Sequence, residues 1–129
     1  MKRILIVDDS STARMFIRRC IEISARQETK FIEACNGLEA LEEIKSLNPD
    51  VVFSDYTMPK MNGMELLEKI KASQKHKGIL VFIISSAGNP ALESKLLKNG
   101  AHAVLKKPIS PTSLMPFVDN IFGENKNAD

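Results

Sequence analysis

Five short apolar runs, each followed by a segment whose apolar residues recur at helical spacing, constrain this chain more than any other feature. The runs are Ile4 to Val7, Phe31 to Ala34, Val51 to Phe53, Leu80 to Ile84 and Ala103 to Leu105. Their shortness and their content of Val, Ile, Leu and Phe read as strands. Ala13, Phe16, Ile17, Cys20 and Ile21 follow i, i+3, i+4, i+7, i+8, as do Leu114, Phe117, Val118, Ile121 and Phe122. Such stripes are helix faces turned toward a core. Weaker stripes run through Ala40, Leu41, Ile44 and Leu47, through Leu66, Leu67 and Ile70, and through Leu92, Leu96 and Leu97. Strands that are apolar throughout are covered on both faces, so the sheet is predicted parallel, with right-handed helical crossovers. The chain is therefore expected to be α/β and doubly wound. Asn36-Gly37, Asn62-Gly63 and Asn99-Gly100 each abut a helical pattern, so they read as two helix starts and one stop rather than as hairpins.

At 129 residues, with 43% hydrophobic and 26% charged residues, the chain has the composition of one globular domain. A domain of this size buries roughly two-thirds of its unfolded surface and needs no disulfide or structural metal to fold. One domain over residues 1–123 and a polar tail over 124–129 are expected. Cys20 and Cys35 form no CxxC pair and have no nearby histidine, so reduced thiols in apolar surroundings are expected. A net charge of +2 advertises neither nucleic acid nor membrane as a partner. The apolar run after Met1-Lys2-Arg3 ends in two aspartates after four residues, so it is no signal peptide. No stretch approaches the ~20 apolar residues that span a bilayer. A soluble, cytoplasmic protein is the expectation.

In an open parallel sheet, chemistry collects beyond the carboxyl ends of the strands. The first strand runs into Asp8-Asp9, the third into Asp55, the fourth into Ser85-Ser86 and the fifth into Lys106-Lys107-Pro108. If the second strand lies at an edge and the first neighbours the third, three carboxylates share one crevice. At separations of about 5 Å they repel one another by a few kcal/mol per pair, roughly, at an effective dielectric near 20. A divalent cation relieves that repulsion, and an all-oxygen donor set suits Mg²⁺, Mn²⁺ or Ca²⁺ rather than zinc. A metal with one fixed lysine, Lys107, and a hydroxyl, Ser85, is also what a phosphoryl group in transfer requires. No separate nucleophile is evident, but a carboxylate can attack phosphorus itself, and Asp55 is the best placed. The product, an acyl phosphate, is labile and suits a temporary signal.

The segments ILIVDDS, VVFSDYTMPKMNGMELL, VFIISS and VLKKP occur in the order and near the spacing of the response-regulator receiver domain of two-component signalling, and the chain resembles that family from about Lys2 to Phe122. The resemblance implies a flavodoxin-like (βα)5 fold with strand order 2-1-3-4-5; the order comes from the family, since spacing alone does not fix it. It implies that Asp55 is the phosphoacceptor and one of the metal residues, and that Asp9 and the carbonyl of Thr57 bind Mg²⁺ directly, with Asp8 acting through water. Ser85 matches the switch hydroxyl and Lys107 the lysine paired with the phosphoryl group. A cis peptide at Lys107-Pro108 is also implied. The donor would be the phosphohistidine of a histidine kinase or phosphotransfer protein, or a small acyl phosphate, with the receiver catalysing its own phosphorylation and dephosphorylation. The resemblance makes the chain a switch rather than a turnover enzyme. It would act on a separate effector, chemotaxis among the possible pathways, through the face of helix four, strand five and helix five. The expected state is a monomer or weak dimer.

Departures from the family pattern carry their own expectations. Val104 stands where an aromatic often rotates with the switch, which implies a smaller movement. Ala87 and Thr57 occupy positions that often hold side chains influencing hydrolysis. Pro116 predicts either a kink in the last helix or a helix whose regular part begins near Ser113. Gly88 to Pro108 holds four Lys against one Glu, favouring an acidic partner. His76 and His102 are expected at the surface, Met58, Met61 and Met64 in packing, and Arg14, Arg18 and Arg19 on a solvated helix face. Taken singly, Asp9, Ser10 or Ser11 could merely cap a helix, and Asp55 could sit in an ordinary turn. A module that keeps the fold without using phosphate is opposed by the intact set of five residues. A phosphatase of the haloacid-dehalogenase type wants a second Asp where Thr57 stands. Neither GxSxG nor a GxGxxG or GxxxxGK[ST] nucleotide loop occurs. With only seven residues after Phe122, no output domain is expected.

Overall fold

The computed structural model describes residues 1–86 and 88–123. Five strands, β1 (Lys2–Val7), β2 (Thr29–Ala34), β3 (Val51–Asp55), β4 (Leu80–Ser85) and β5 (Ala103–Lys106), form one parallel sheet in the order β2-β1-β3-β4-β5. Between them run α1 (Ser11–Ser24), α2 (Gly37–Leu47), α3 (Gly63–Ala72) and α4 (Pro90–Lys98). The chain closes on α5 (Pro111–Leu114), a 3-10 turn over Met115–Phe117, and α6 (Val118–Phe122).

Side chains alternate across a strand, so each strand feeds two cores. Leu5, Val7, Val52, Val81 and Ile83 pack with α2 and α3 and with Leu96 of α4. Ile4, Ile6, Phe53, Phe82, Ile84 and Leu105 pack with α1 and with Leu114, Val118, Ile121 and Phe122. Full burial of one such Ile or Phe contributes about 1.5–3 kcal/mol. β2 alternates buried and exposed residues, as an edge strand does, and Glu33 is among its exposed positions.

The Asn-Gly pairs act as expected. Asn36 and Asn62 accept hydrogen bonds from the Glu39 and Glu65 amides as N-caps of α2 and α3, and Asn99 ends α4 before Gly100 at φ +107. Ser10 caps α1 through the Ala13 amide. Of the two forms expected around Pro116, the kink occurs: regular helix begins at Pro111 and breaks into the 3-10 turn at the proline, which lacks the N–H that an α-helix would use.

Several expectations need correction. Phe16 and Leu97 fall on the predicted core stripes but are 52% and 44% exposed, because each lies at the margin of a face already filled by Ile17 or Leu96. His76 is buried rather than superficial, with Nδ1 3.1 Å from Ser73 Oγ in the turn after α3. His102 is exposed, its ring edge-on to Phe82 and Phe117. Cys20 and Cys35 are both free thiols, but Cys35 lies beside Asn36 and Glu39 rather than in an apolar pocket. Met58, Met61 and Met64 are buried in packing. Ala87 and the tail over 124–129 lie outside the described residues. Among the described residues, no helix is long and apolar enough to cross a membrane.

Candidate functional site

β1 and β3 are neighbours, with Val7 in register with Ser54, so the residues that follow them leave the sheet side by side. Asp8 extends β1 by one hydrogen bond, its amide donating to the Ala34 carbonyl, and the chain then turns into α1. Asp55 is the last residue of β3, and the Tyr56 amide donates to the Ile84 carbonyl across β4. The loop from Tyr56 to Asn62 is closed by the Gly63 amide donating 2.7 Å to the Tyr56 carbonyl. A Cβ at Gly63 would stand 2.9 Å from both the Asp55 carbonyl oxygen and Tyr56 Cα, so this approach of helix to strand requires glycine.

One carboxylate oxygen from each of Asp8, Asp9 and Asp55 lies within 4.8 Å of the others. Asp8 and Asp55 are buried and Asp9 is exposed. Asp8 Oδ1 accepts the Ser10 amide at 2.9 Å, whereas Oδ2 is buried without a hydrogen-bond partner among the described residues. Leaving a buried acceptor unsatisfied costs about 1–3 kcal/mol, more when it is charged. Desolvation by burial raises the Asp8 carboxyl above its ordinary value; the Ser10 amide opposes this, and the charge of Asp55 adds to it. The orphan oxygen, the mutual repulsion and the all-oxygen donor set together fit a hard divalent cation. Thr57, on the loop beyond Asp55, is exposed.

Opposite the aspartates, Lys107 Nζ lies 3.0 Å from Asp55 Oδ1. β5 delivers it: the Lys107 amide donates to the Ser85 carbonyl, which ties the end of β5 to the end of β4, and the Lys107-Pro108 peptide is cis. Ser85 itself is buried at the end of β4, one residue beyond the register partner of Asp55. An apolar groove of about 590 Å³ adjoins Asp8 and Lys107 and is lined by Ala13, Phe16, Ile17 and Ile109.

A family model for the response regulator receiver domain matches residues 4–119. The chain belongs to that family. Among its relatives, the receiver is 34% identical over 120 residues to the chemotaxis protein CheY of Thermotoga maritima, covering 93% of this chain and 97% of that protein. It is 33% identical over 125 residues to chemotaxis protein CheY1 of Helicobacter pylori, covering 95% and 98%. A solved response regulator receiver domain from Clostridium thermocellum superposes with a TM-score of 0.81 at 29% identity, covering 94% of each chain. The receiver is thus CheY-like, and its family places it in two-component signalling.

Asp8, Asp9, Asp55, Ser85 and Lys107 are all expected from sequence at one edge of the sheet, and the receiver places them at the carboxyl ends of β1, β3, β4 and β5. Arg14 departs from the solvated basic face expected of it. Its guanidinium is largely buried and donates 2.7 Å to the Asp8 carbonyl and 2.8 Å to Glu33 Oε1. Arg18 is exposed, over the Phe31 ring. No spacing rule separates the two arginines, because the Glu33 acceptor of Arg14 lies 19 residues away on β2. The position of Arg14, one turn into the helix after the aspartate pair, is the one available signal.

Proposed function

We propose that the receiver is a switch driven by phosphorylation of Asp55. A carboxylate oxygen of Asp55 attacks the phosphorus of a phosphohistidine, or of a small acyl phosphate. The P–N or P–O bond to the donor breaks, its electron pair leaves with the imidazole or carboxylate, and an acyl phosphate forms on Asp55. Water later attacks that phosphorus, releasing inorganic phosphate and restoring the carboxylate. Asp9, Asp55 and the Thr57 carbonyl would hold Mg²⁺ directly and Asp8 would hold it through water; the ion supplies charge neutralisation for the phosphoryl oxygens. Lys107, now paired with Asp55, would follow the charge outward to a phosphoryl oxygen, and the Ser85 hydroxyl would donate to another.

The observation that carries this reading is the Lys107 ammonium 3.0 Å from the Asp55 carboxylate, delivered by β5, which in strand order lies across β3 from the strand that carries Asp8 and Asp9. An aspartate held between a cation site and a fixed ammonium is provided with what in-line phosphoryl transfer needs at both sides. The readout would pass to an effector through α4, β5 and the helix after it, where Lys95, Lys98 and Lys106 are exposed and suit an acidic partner. The CheY relatives make chemotaxis the first pathway to test, and a histidine kinase's cytoplasmic phosphohistidine the first donor. Intact-mass measurement with Mg²⁺ and a small acyl phosphate tests the reading. One added phosphoryl group is expected, lost with chelator and absent in Asp55→Asn. An adduct that persists in Asp55→Asn, or none from any donor, would sink it.

A further inference from the structure

The turn that presents Asp8 and Asp9 is held by a contact outside the set of acidic and phosphoryl-binding residues. β2 ends at Ala34, whose carbonyl already accepts the Asp8 amide, so no strand partner continues alongside the Asp8 carbonyl. That carbonyl accepts from Arg14 Nη1 at 2.7 Å, while Arg14 Nε donates to Glu33 Oε1 at 2.8 Å from the exposed face of β2. The carbonyl belongs to the planar peptide unit joining Asp8 to Asp9. Holding its oxygen fixes ψ of Asp8 and the direction in which the Asp9 Cα–Cβ bond leaves the backbone. The Ser10 amide on Asp8 Oδ1 closes a small ring across the same peptide and fixes the Asp8 side chain against it. The orientation of Asp9 relative to Asp8 is therefore set by two contacts, and the Arg14 guanidinium is the one that holds the peptide oxygen from outside the turn.

We infer that Arg14, anchored by Glu33, is a positioning residue for the cation site: it orients the Asp8–Asp9 peptide so that both carboxylates face Asp55. The inference rests on the reading of those three aspartates as a divalent-cation site. Arg14 touches neither the cation position nor the phosphoryl group and acts only through the main chain. Its pairing with Glu33 offsets a positive charge that would otherwise stand near a bound cation. A lysine can reach either acceptor but cannot fork to both, so Arg14→Lys should be an intermediate case.

The test is a Mg²⁺ titration followed by calorimetry and by the fluorescence of Tyr56, the single tyrosine in a chain without tryptophan, next to Asp55. Wild type, Arg14→Met, Arg14→Lys and Glu33→Gln are compared, each with its metal-free thermal unfolding. Arg14→Met should weaken Mg²⁺ binding about 10-fold or more, in the range that loss of an outer-shell partner costs a metal site. Arg14→Lys and Glu33→Gln should fall between it and wild type. A purely structural tie would lower metal-free Tm while leaving the Kd of all three variants unchanged, and that result overturns the inference. If Arg14→Met does not fold, Arg14→Lys and Glu33→Gln decide by the same criterion. Wild-type protein that binds no Mg²⁺ overturns the cation-site reading itself, a failure distinct from unchanged variants of a wild type that does bind.

Discussion

Replacing Asp8 with asparagine should stabilise the metal-free receiver and weaken its response to Mg²⁺. The carboxylate oxygens of Asp8, Asp9 and Asp55 lie within 4.8 Å of one another, so at an effective dielectric near 20 each charged pair is repelled by about 3.5 kcal/mol. Two of the three pairs involve Asp8. The attraction of Lys107 opposes them, and Asp9 is exposed and therefore screened. Desolvation of Asp8 works in the same direction as the repulsion. Asparagine keeps the oxygen that accepts the Ser10 amide and replaces the orphan Oδ2 with a donor among carboxylates. A net gain of about 1–3 kcal/mol follows, or roughly 3–10 °C in Tm for a domain of this size. The assay is thermal unfolding in chelator and in millimolar Mg²⁺. Wild type should rise in Tm with Mg²⁺, and Asp8→Asn should start higher in chelator and rise little. An Asp8→Asn protein less stable than wild type in chelator would refute the reasoning, because the acidic cluster would then hold the fold together.

The same carboxyl gives a pH prediction. Its raised value means that the folded state binds the proton more tightly than the unfolded chain, so the Asp8 contribution to metal-free stability falls as pH rises from 3.8 through the raised value and returns on acidification. Urea unfolding of wild type minus Asp8→Asn, in chelator across that window, should show this slope; a difference that is flat or of opposite sign contradicts it. Gly63→Ala should cost about 1–3 kcal/mol in urea unfolding, since its Cβ meets main-chain atoms of Asp55 and Tyr56 that cannot swing aside. Unchanged stability would show that the loop relaxes freely. The Glu39 carboxylate beside the Cys35 thiol holds that thiol above its ordinary value, so Glu39→Gln should speed its reaction with a disulfide reagent at mildly alkaline pH. Cys20, buried and also raised by burial, should react only on unfolding in both proteins.

Much of the fold and site is legible in the chain because four of the five strands, all but the edge strand β2, carry apolar runs that lead into a reactive residue. Ile4 to Val7 followed by two aspartates, and Val51 to Phe53 followed two residues later by Asp55, place carboxylates at one sheet edge once the strands are parallel neighbours. Asn36 and Asn62 announce helix starts by chemistry that acts within three residues. What periodicity misses depends on how wide a helix face the rest of the fold covers. Phe16 and Leu97 satisfy the helical spacing, yet the sheet is already covered by Ile17 and Leu96. His76 gives no signal because its burial comes from the turn after α3 folding back through Ser73. Arg14 is indistinguishable from Arg18 until β2 brings Glu33 beside it, a contact that spans 19 residues of sequence.

The central claim, that Asp8, Asp9 and Asp55 share a single divalent cation, is tested most directly by the stoichiometry of Mn²⁺ bound at equilibrium dialysis. Wild type should bind one ion per chain, and Asp8→Asn, Asp9→Asn and Asp55→Asn should each weaken that same ion. Stoichiometric, undiminished binding in all three variants, or none in wild type, would contradict the account.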